Sequence, residues 1–175
     1  SSFPTAPVVT PSGTVSICAG DSVLLSSDNK GSGTYTWSNG ATGQAIYVKT
    51  AGTYSVKFKN SGGCESPSSN IVTVVVNAVP AKPTITAGGI TTFCTGGSVT
   101  LTSSYTAGSN LWSRTTGGDT TTTGSNTIRV AVSNTISVQA VSTSGCKSPS
   151  SNPITVTVNP VPTAPVITPN GTVRI

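Results

Sequence analysis

An all-β chain of two consecutive sandwich modules is what this sequence predicts, and three observations carry that expectation. β-Branched residues fall into short runs that alternate with polar ones, at the two-residue period of a half-buried strand. No stretch shows the three-and-four apolar spacing of an amphipathic helix, and a composition rich in Thr, Val and Gly disfavours helix throughout. The third observation is repetition: PTAPVVTPSGTVSI at 4–17 returns as PTAPVITPNGTVRI at 162–175, with 11 of 14 positions identical. Fixed-period self-similarity marks chains in which one small unit is strung many times.

A more distant copy, PAKPTITAGGITTF at 80–93, lies between those two and sets the order as A, B, then A again. The offsets are 76 from Pro4 to Pro80 and 82 from Pro80 to Pro162, a unit of 158 residues duplicated as a block. Other landmarks keep step: Cys18 and Cys94 are 76 apart, Cys64 and Cys146 are 82 apart, and Trp37 and Trp112 are 75 apart. Each module therefore owns two Cys and one Trp. A phrase near the end of each repeats almost letter for letter, GCESPSSNIVTVVVN at 63–77 and GCKSPSSNPITVTVN at 145–159. These anchors predict module A at 1–79, module B at 80–161, and an incomplete next module A at 162–175. Residues 166–175 are then a first strand with no domain to join, expected to be disordered or to pair with another molecule's sheet edge.

In module A the alternation, bounded by Gly, Pro, Asn and Ser, predicts strands near 7–10, 14–18, 22–27, 34–38, 45–49, 52–59 and 70–77. Seven short strands in so short a module read as two packed sheets. In the sixth, Tyr54, Val56 and Phe58 share the core face while Ser55, Lys57 and Lys59 take the other. In the last, Val72, Val74 and Val76 point inward, as do Ile154, Val156 and Val158 of module B. Their outward neighbours differ, because Ile71 and Val75 of module A stand where module B has Pro153 and Thr157. That extra apolar surface predicts a contact for Ile71 and Val75, most simply with the neighbouring module.

Charged residues make up only 7% of the chain, whereas Ser and Thr number 58 of 175, so solubility rests on hydroxyls. The net charge of +5 comes from scattered cations. No Lys/Arg stripe with interleaved aromatics exists, so nucleic acid is not an expected partner; loose attraction to acidic polysaccharide is compatible with such a charge. Apolar runs are short, Val74–Val76 among them, and no membrane insertion or signal peptide is read in these residues. An even number of Cys with neither Met nor His points to an oxidising compartment.

The same inventory argues against a reaction centre. With no His, the proton carriers are Asp21, Asp28, Glu65 and Asp119, three in one module and one in the other, and Asp21 and Asp28 flank a strand as turn residues do. A carboxylate pair for hydrolysis must be held across a cleft, and a Ser nucleophile needs a base within reach. No enzyme activity, cofactor or metal is expected. The joints NAVPAKP at 77–83 and NPVPTAP at 159–165 are rich in Pro, which favours stiff extended geometry, and none of the carboxylates lies in a joint to bind calcium. A four-thiolate zinc site would need CxxC-type clustering that is lacking, and no Lys recurs in register for a Lys–Asn crosslink. The hydroxyl run Thr120–Thr123 is a place where an exported protein could be modified. Among the aromatics, Trp37 and Trp112 read as core, leaving Tyr47, Tyr105, Phe3 and Phe93 as ligand candidates. Tyr47 alternates out of phase with inward Ile46 and Val48, but its counterpart is Arg129, which argues against a platform common to both modules.

GDSVLLSS at 20–27, TYTWSNGAT at 34–42 and AGTYSV at 51–56 resemble the B, C and F strands of immunoglobulin-like domains. In particular they resemble the tandem immunoglobulin-like repeats of large secreted and surface proteins of gliding, polymer-degrading bacteria. The resemblance implies two immunoglobulin-like sandwiches working outside the cell as a spacer or adhesin stalk, with neighbouring repeats as partners. Its alternative implication is an accessory carbohydrate-binding or spacer module beside a secreted polysaccharide-degrading enzyme. Antibody-type domains place their cysteines mid B and mid F, where this chain has Ser27 and Val56. Cys18 precedes strand B and Cys64 follows strand F, so the resemblance implies a relocated bridge, Cys18 to Cys64 in module A and Cys94 to Cys146 in module B. Closing about 46 residues in that way would stabilise a module by roughly 4 kcal/mol, a large share of a total of about 5–15 kcal/mol, as a domain this small would need. Tyr54 matches the family's tyrosine corner, and module B has Ile136 in its place.

Overall fold

The computed structural model describes residues 3–28, 30–115, 120–168 and 171, with strand path alone for 120–123. The chain divides into two compact units, Ser1–Val79 and Pro80–Ile175. All regular structure among the described residues is strand, and no helix is long and apolar enough to cross a membrane.

Unit 1 contains β1 (Val9–Thr10), β2 (Gly13–Cys18), β3 (Val23–Ser27), β4 (Gly33–Trp37), β5 (Ala45–Val48), β6 (Gly52–Tyr54), β7 (Val56–Asn60) and β8 (Val72–Asn77). One sheet runs β1–β3–β5; the other face is built from β2–β8–β6 and β4–β7. The first two strands expected from sequence, 7–10 and 14–18, are separated at Pro11, which cannot donate to a ladder, and Gly13 supplies a positive φ. The chain thereby leaves β3 and crosses to pair in parallel with β8, Gly13 opposite Val72 through Cys18 opposite Asn77. The sixth expected strand is split at Ser55: β6 pairs with β8, and β7 pairs with β4. Val9, Leu25, Trp37, Val48, Tyr54, Val56, Phe58, Val72 and Val74 close over one core, with Tyr35 tilted onto Phe58 at 4.9 Å between ring centres.

Unit 2 contains β9 (Ile85–Ala87), β10 (Thr92–Cys94), β11 (Val99–Ser103), β12 (Ser109–Arg114), β13 (Thr120–Thr123), β14 (Thr127–Val130), β15 (Asn134–Val141) and β16 (Ile154–Asn159). Its sheets are β9–β11–β14 and β10–β16–β15–β12–β13, and β10 again runs parallel to β16. Here the long strand β15 is unbroken and alternates strictly between buried and half-buried residues. Ile136, Val138 and Ala140 line the core with Val99, Leu101, Trp112, Val130 and Val156. The expected inward face of the last strand is seen in both units, Val72 and Val74 in one and Val156 in the other being fully buried. Val166 and Ile167 are exposed and form no strand, and residues 172–175 lie outside the described set.

Candidate functional site

The phrase SPSSN, identical at 66–70 and 148–152, has a structural task in both units. Ser66 accepts the Phe58 N–H with Oγ at 3.0 Å, and its own N–H donates to the Phe58 carbonyl at 2.8 Å. Ser69 treats Val56 in the same way, at 2.9 Å each. In unit 2, Ser148 does this for Ala140 and Ser151 for Val138. All four serines are buried. Two hydroxyls spaced by three residues thus occupy the flank of the long strand where a further strand would otherwise have to run, and Pro67 or Pro149 between them has no N–H to leave stranded. Asn70 then ties the first strand, accepting the Val9 N–H at 2.7 Å and donating to the Val9 carbonyl at 3.1 Å. The sequence shows the phrase twice but not its task, since Ser beside Pro ordinarily reads as loop.

The cysteines depart from the expected pairing. Cys64 and Cys94 carry free thiols, Cys64 half-buried and Cys94 exposed, whereas Cys18 and Cys146 are the disulfide-bonded ones. Neither Cys18–Cys64 nor Cys94–Cys146 forms, and strand direction is the reason. Cys18 lies opposite Asn77 at the trailing end of β8. Cys64 folds back on Asn60, donating its N–H to the Asn60 Oδ1 at 2.9 Å, and β7 runs beyond the opposite end of β8, whose first residue Val72 is level with Tyr54. At roughly 3.3 Å per residue the two positions are about 35 Å apart along the strands, against the about 6 Å between Cα atoms that a disulfide spans. Module B repeats the arrangement, with Cys94 opposite Asn159 and the Cys146 carbonyl accepting the Ser142 N–H just past β15. Each module therefore carries one cysteine at either end.

The remaining candidates are separately placed. Trp37 and Trp112 are buried core, and Trp37 Nε1 donates to the Gly43 carbonyl at 2.8 Å. Tyr54 makes its corner, Oη donating to the Thr50 carbonyl at 3.0 Å, while Ile136 fills its place with a wholly apolar, buried side chain. Tyr47 is 73% exposed and lies opposite Leu24 across the β3–β5 pair, on the outward face; the equivalent pair in unit 2 is Arg129 opposite Thr100. Tyr105 is half-buried beside a shallow hollow with Gly108 and Asn110. Ile71 and Val75 are both exposed, Val75 next to Ser16. Phe3 is exposed and Phe93 packs partly against the second core.

Asp21 closes a turn, its N–H donating to the Cys18 carbonyl at 2.9 Å. Asp28 accepts the Val8 N–H and pairs with Lys30, both at 2.8 Å. Desolvation pushes the Asp28 carboxyl upward, but hydrogen bonds from Lys30, Val8 and Ser27 and the Lys30 charge outweigh it, holding the group below its ordinary value. Glu65 is lowered by the hydrogen bond and charge of Lys57, 2.9 Å away, beside an open hollow of about 330 Å³ over β4 and β7. Asp119 lies outside the described residues, as do the side chains of Thr120–Thr123. Among the described residues no three His, Cys, Asp or Glu come together as a metal site. The geometry thus supplies thiols at module ends and backbone clamps rather than a convergent polar cleft.

Residues 80–160, the second module, match the family model described as Ig-like domain, CHU_C associated. Among solved structures, the three consecutive FN1–FN3 domains of chicken CNTN1 superpose with a TM-score of 0.50 at 13% identity, covering 90% of this chain and 69% of that one. The human OSCAR ligand-binding domain gives a TM-score of 0.35 at 12% identity, covering 89% of this chain and all of that one, a likeness too low to carry weight. No curated protein matches the sequence. Residues 80–160 are thus similar in sequence to an Ig-like domain family, and the chain as a whole shares an all-β fold with consecutive fibronectin-type domains.

Proposed function

We propose that this chain is a spacer segment in the stalk of a long exported bacterial surface protein, of the adhesin kind, working by reach rather than by chemistry. The observation that carries the reading is the block duplication: residues 4–17 of module A return, with 11 of 14 positions identical, after 158 positions, beyond a complete second module. Proline-rich joints, cores of a size to stand alone, and a hydroxyl surface poor in charge all suit a segment whose task is length. Its partners are the adjoining repeats, for which Ile71 and Val75 offer apolar surface, and its place is outside the cell, where disulfides persist.

Small-angle scattering tests this. A tandem holding the 158-residue unit twice should show a maximum dimension close to double that of one unit, and a value near that of a compact globule of the same mass would defeat the reading. Exchanging Ile71 and Val75 for Thr should broaden the distribution of dimensions if they brace a neighbour. Tyr47 with Leu24 favours the rival, an accessory carbohydrate-binding module of a secreted polysaccharide-degrading enzyme. Retention on insoluble polysaccharide that resists salt and vanishes in Tyr47→Ala would favour that rival.

A further inference from the structure

The two free thiols are one of each kind. Cys94 is the module B counterpart of Cys18, and Cys64 is the module A counterpart of Cys146. Those counterparts are the disulfide-bonded cysteines of this structure. A trailing-end cysteine and a leading-end cysteine are thus oxidised, while another of each kind is left reduced.

Geometry within each unit shows where the unused partner would come from. Cys94 lies opposite Asn159, and the Thr95 N–H donates to the Asn159 carbonyl at 2.9 Å, so this thiol stands where the chain leaves module B. Thr163, four residues on, is the repeat of Thr5. In module A, Lys30 Nζ donates to Thr5 Oγ1 at 3.2 Å, and the loop holding Lys30 also holds Ser32, whose carbonyl accepts the Ser61 N–H at 3.3 Å beside the Cys64 turn. Thr5 and Cys64 therefore share the leading end of their module. Four extended residues reach at most about 14 Å, which brings the Cys64 of a following repeat to the neighbourhood of Cys94.

We propose that Cys94 of each repeat forms a disulfide with the Cys64 counterpart of the repeat that follows, covalently fixing the joint at 159–165; the proposal rests on the array reading above. The two thiols lose two protons and two electrons as the S–S bond forms. The acceptor is a disulfide oxidant, either a small-molecule disulfide or a thiol–disulfide oxidoreductase, which leaves as two thiols.

The test begins with the full chain, refolded with oxidised glutathione and alkylated without reduction; peptide mass mapping should find the label on Cys64 and Cys94. A tandem carrying residues 4–161 twice in line has eight cysteines. It should retain two labelled thiols, the first Cys64 and the last Cys94, and yield a non-reduced peptide joining the inner Cys94 to the inner Cys64. Four labelled thiols, or peptides joining Cys18 to Cys64 within a module, would overturn the proposal. Scattering from the same tandem separates the two readings. An extended particle with four labelled thiols defeats the staple alone, and a compact particle defeats the spacer itself. Cys94→Ser, which alters an exposed side chain, should raise the tandem's free thiols by one when introduced at the inner position.

Discussion

Gly33 shows how closely a single residue is specified. A Cβ added there would meet the Lys59 carbonyl and the Phe58 ring, and at Gly108, 75 positions on, it would meet the Val141 carbonyl and the Tyr105 phenol. Neither glycine needs a left-handed backbone; each is small because the strand ahead of the core Trp passes hard against its partner. Gly33→Ala should destabilise by about 1–3 kcal/mol through forced displacement of backbone, read as a lowered midpoint in chemical denaturation. The serines are matched as tightly. Ser148→Ala leaves the buried Ala140 N–H without its Oγ acceptor, at a cost of about 1–3 kcal/mol, whereas the same change at exposed Ser144 should fall within about 0.5 kcal/mol.

Among the elements, the faces were legible and the ends were not. Alternation in 52–59 and 70–77 matches the buried Tyr54, Val56, Phe58, Val72 and Val74, with Val76 only half-buried, because a strand's period of two projects directly onto inside and outside. The same letters cannot say which way a strand runs beside a distant neighbour. The parallel pairing of β2 with β8 and the antiparallel run of β6 into β7 put Cys18 and Cys64 at opposite ends, and that is settled by topology over some 60 residues, not by any local pattern. The split at Ser55 and the start of β8 at Val72 rather than 70 were hidden for a related reason, since the side chains of Ser66 and Ser69 satisfy β7 from a segment that reads as loop. The leading end of module A carries its own electrostatic tie. The folded Asp28 carboxyl lies below its ordinary value, so the support it gives the first strand is present above the ordinary carboxylate range and is lost as pH falls through the lowered value. The protection factor of the Val8 amide, its slowing relative to the intrinsic rate at the same pH, should therefore fall in acid, and in Asp28→Ala it should be low already at neutral pH.

For the molecule as a whole, repetition in the sequence reads as a two-module unit, because duplicated blocks preserve spacing even where residues drift. What repetition could not convey is that the modules differ in detail: β15 is continuous where β6 and β7 are divided, and β13 pairs with β12 where module A has only the Thr36–Thr42 bridge. Neighbours of one ancestry but unequal edges are less interchangeable than identical ones.

That inequality bears on how such a polypeptide survives its own synthesis. Near-copies emerging in succession are prone to trade segments with one another and jam in misassembled forms. Filling one flank of β7 and of β15 with a pair of hydroxyls and a proline closes that ladder to a sibling's segment, removing one of the edges at which such an exchange could begin.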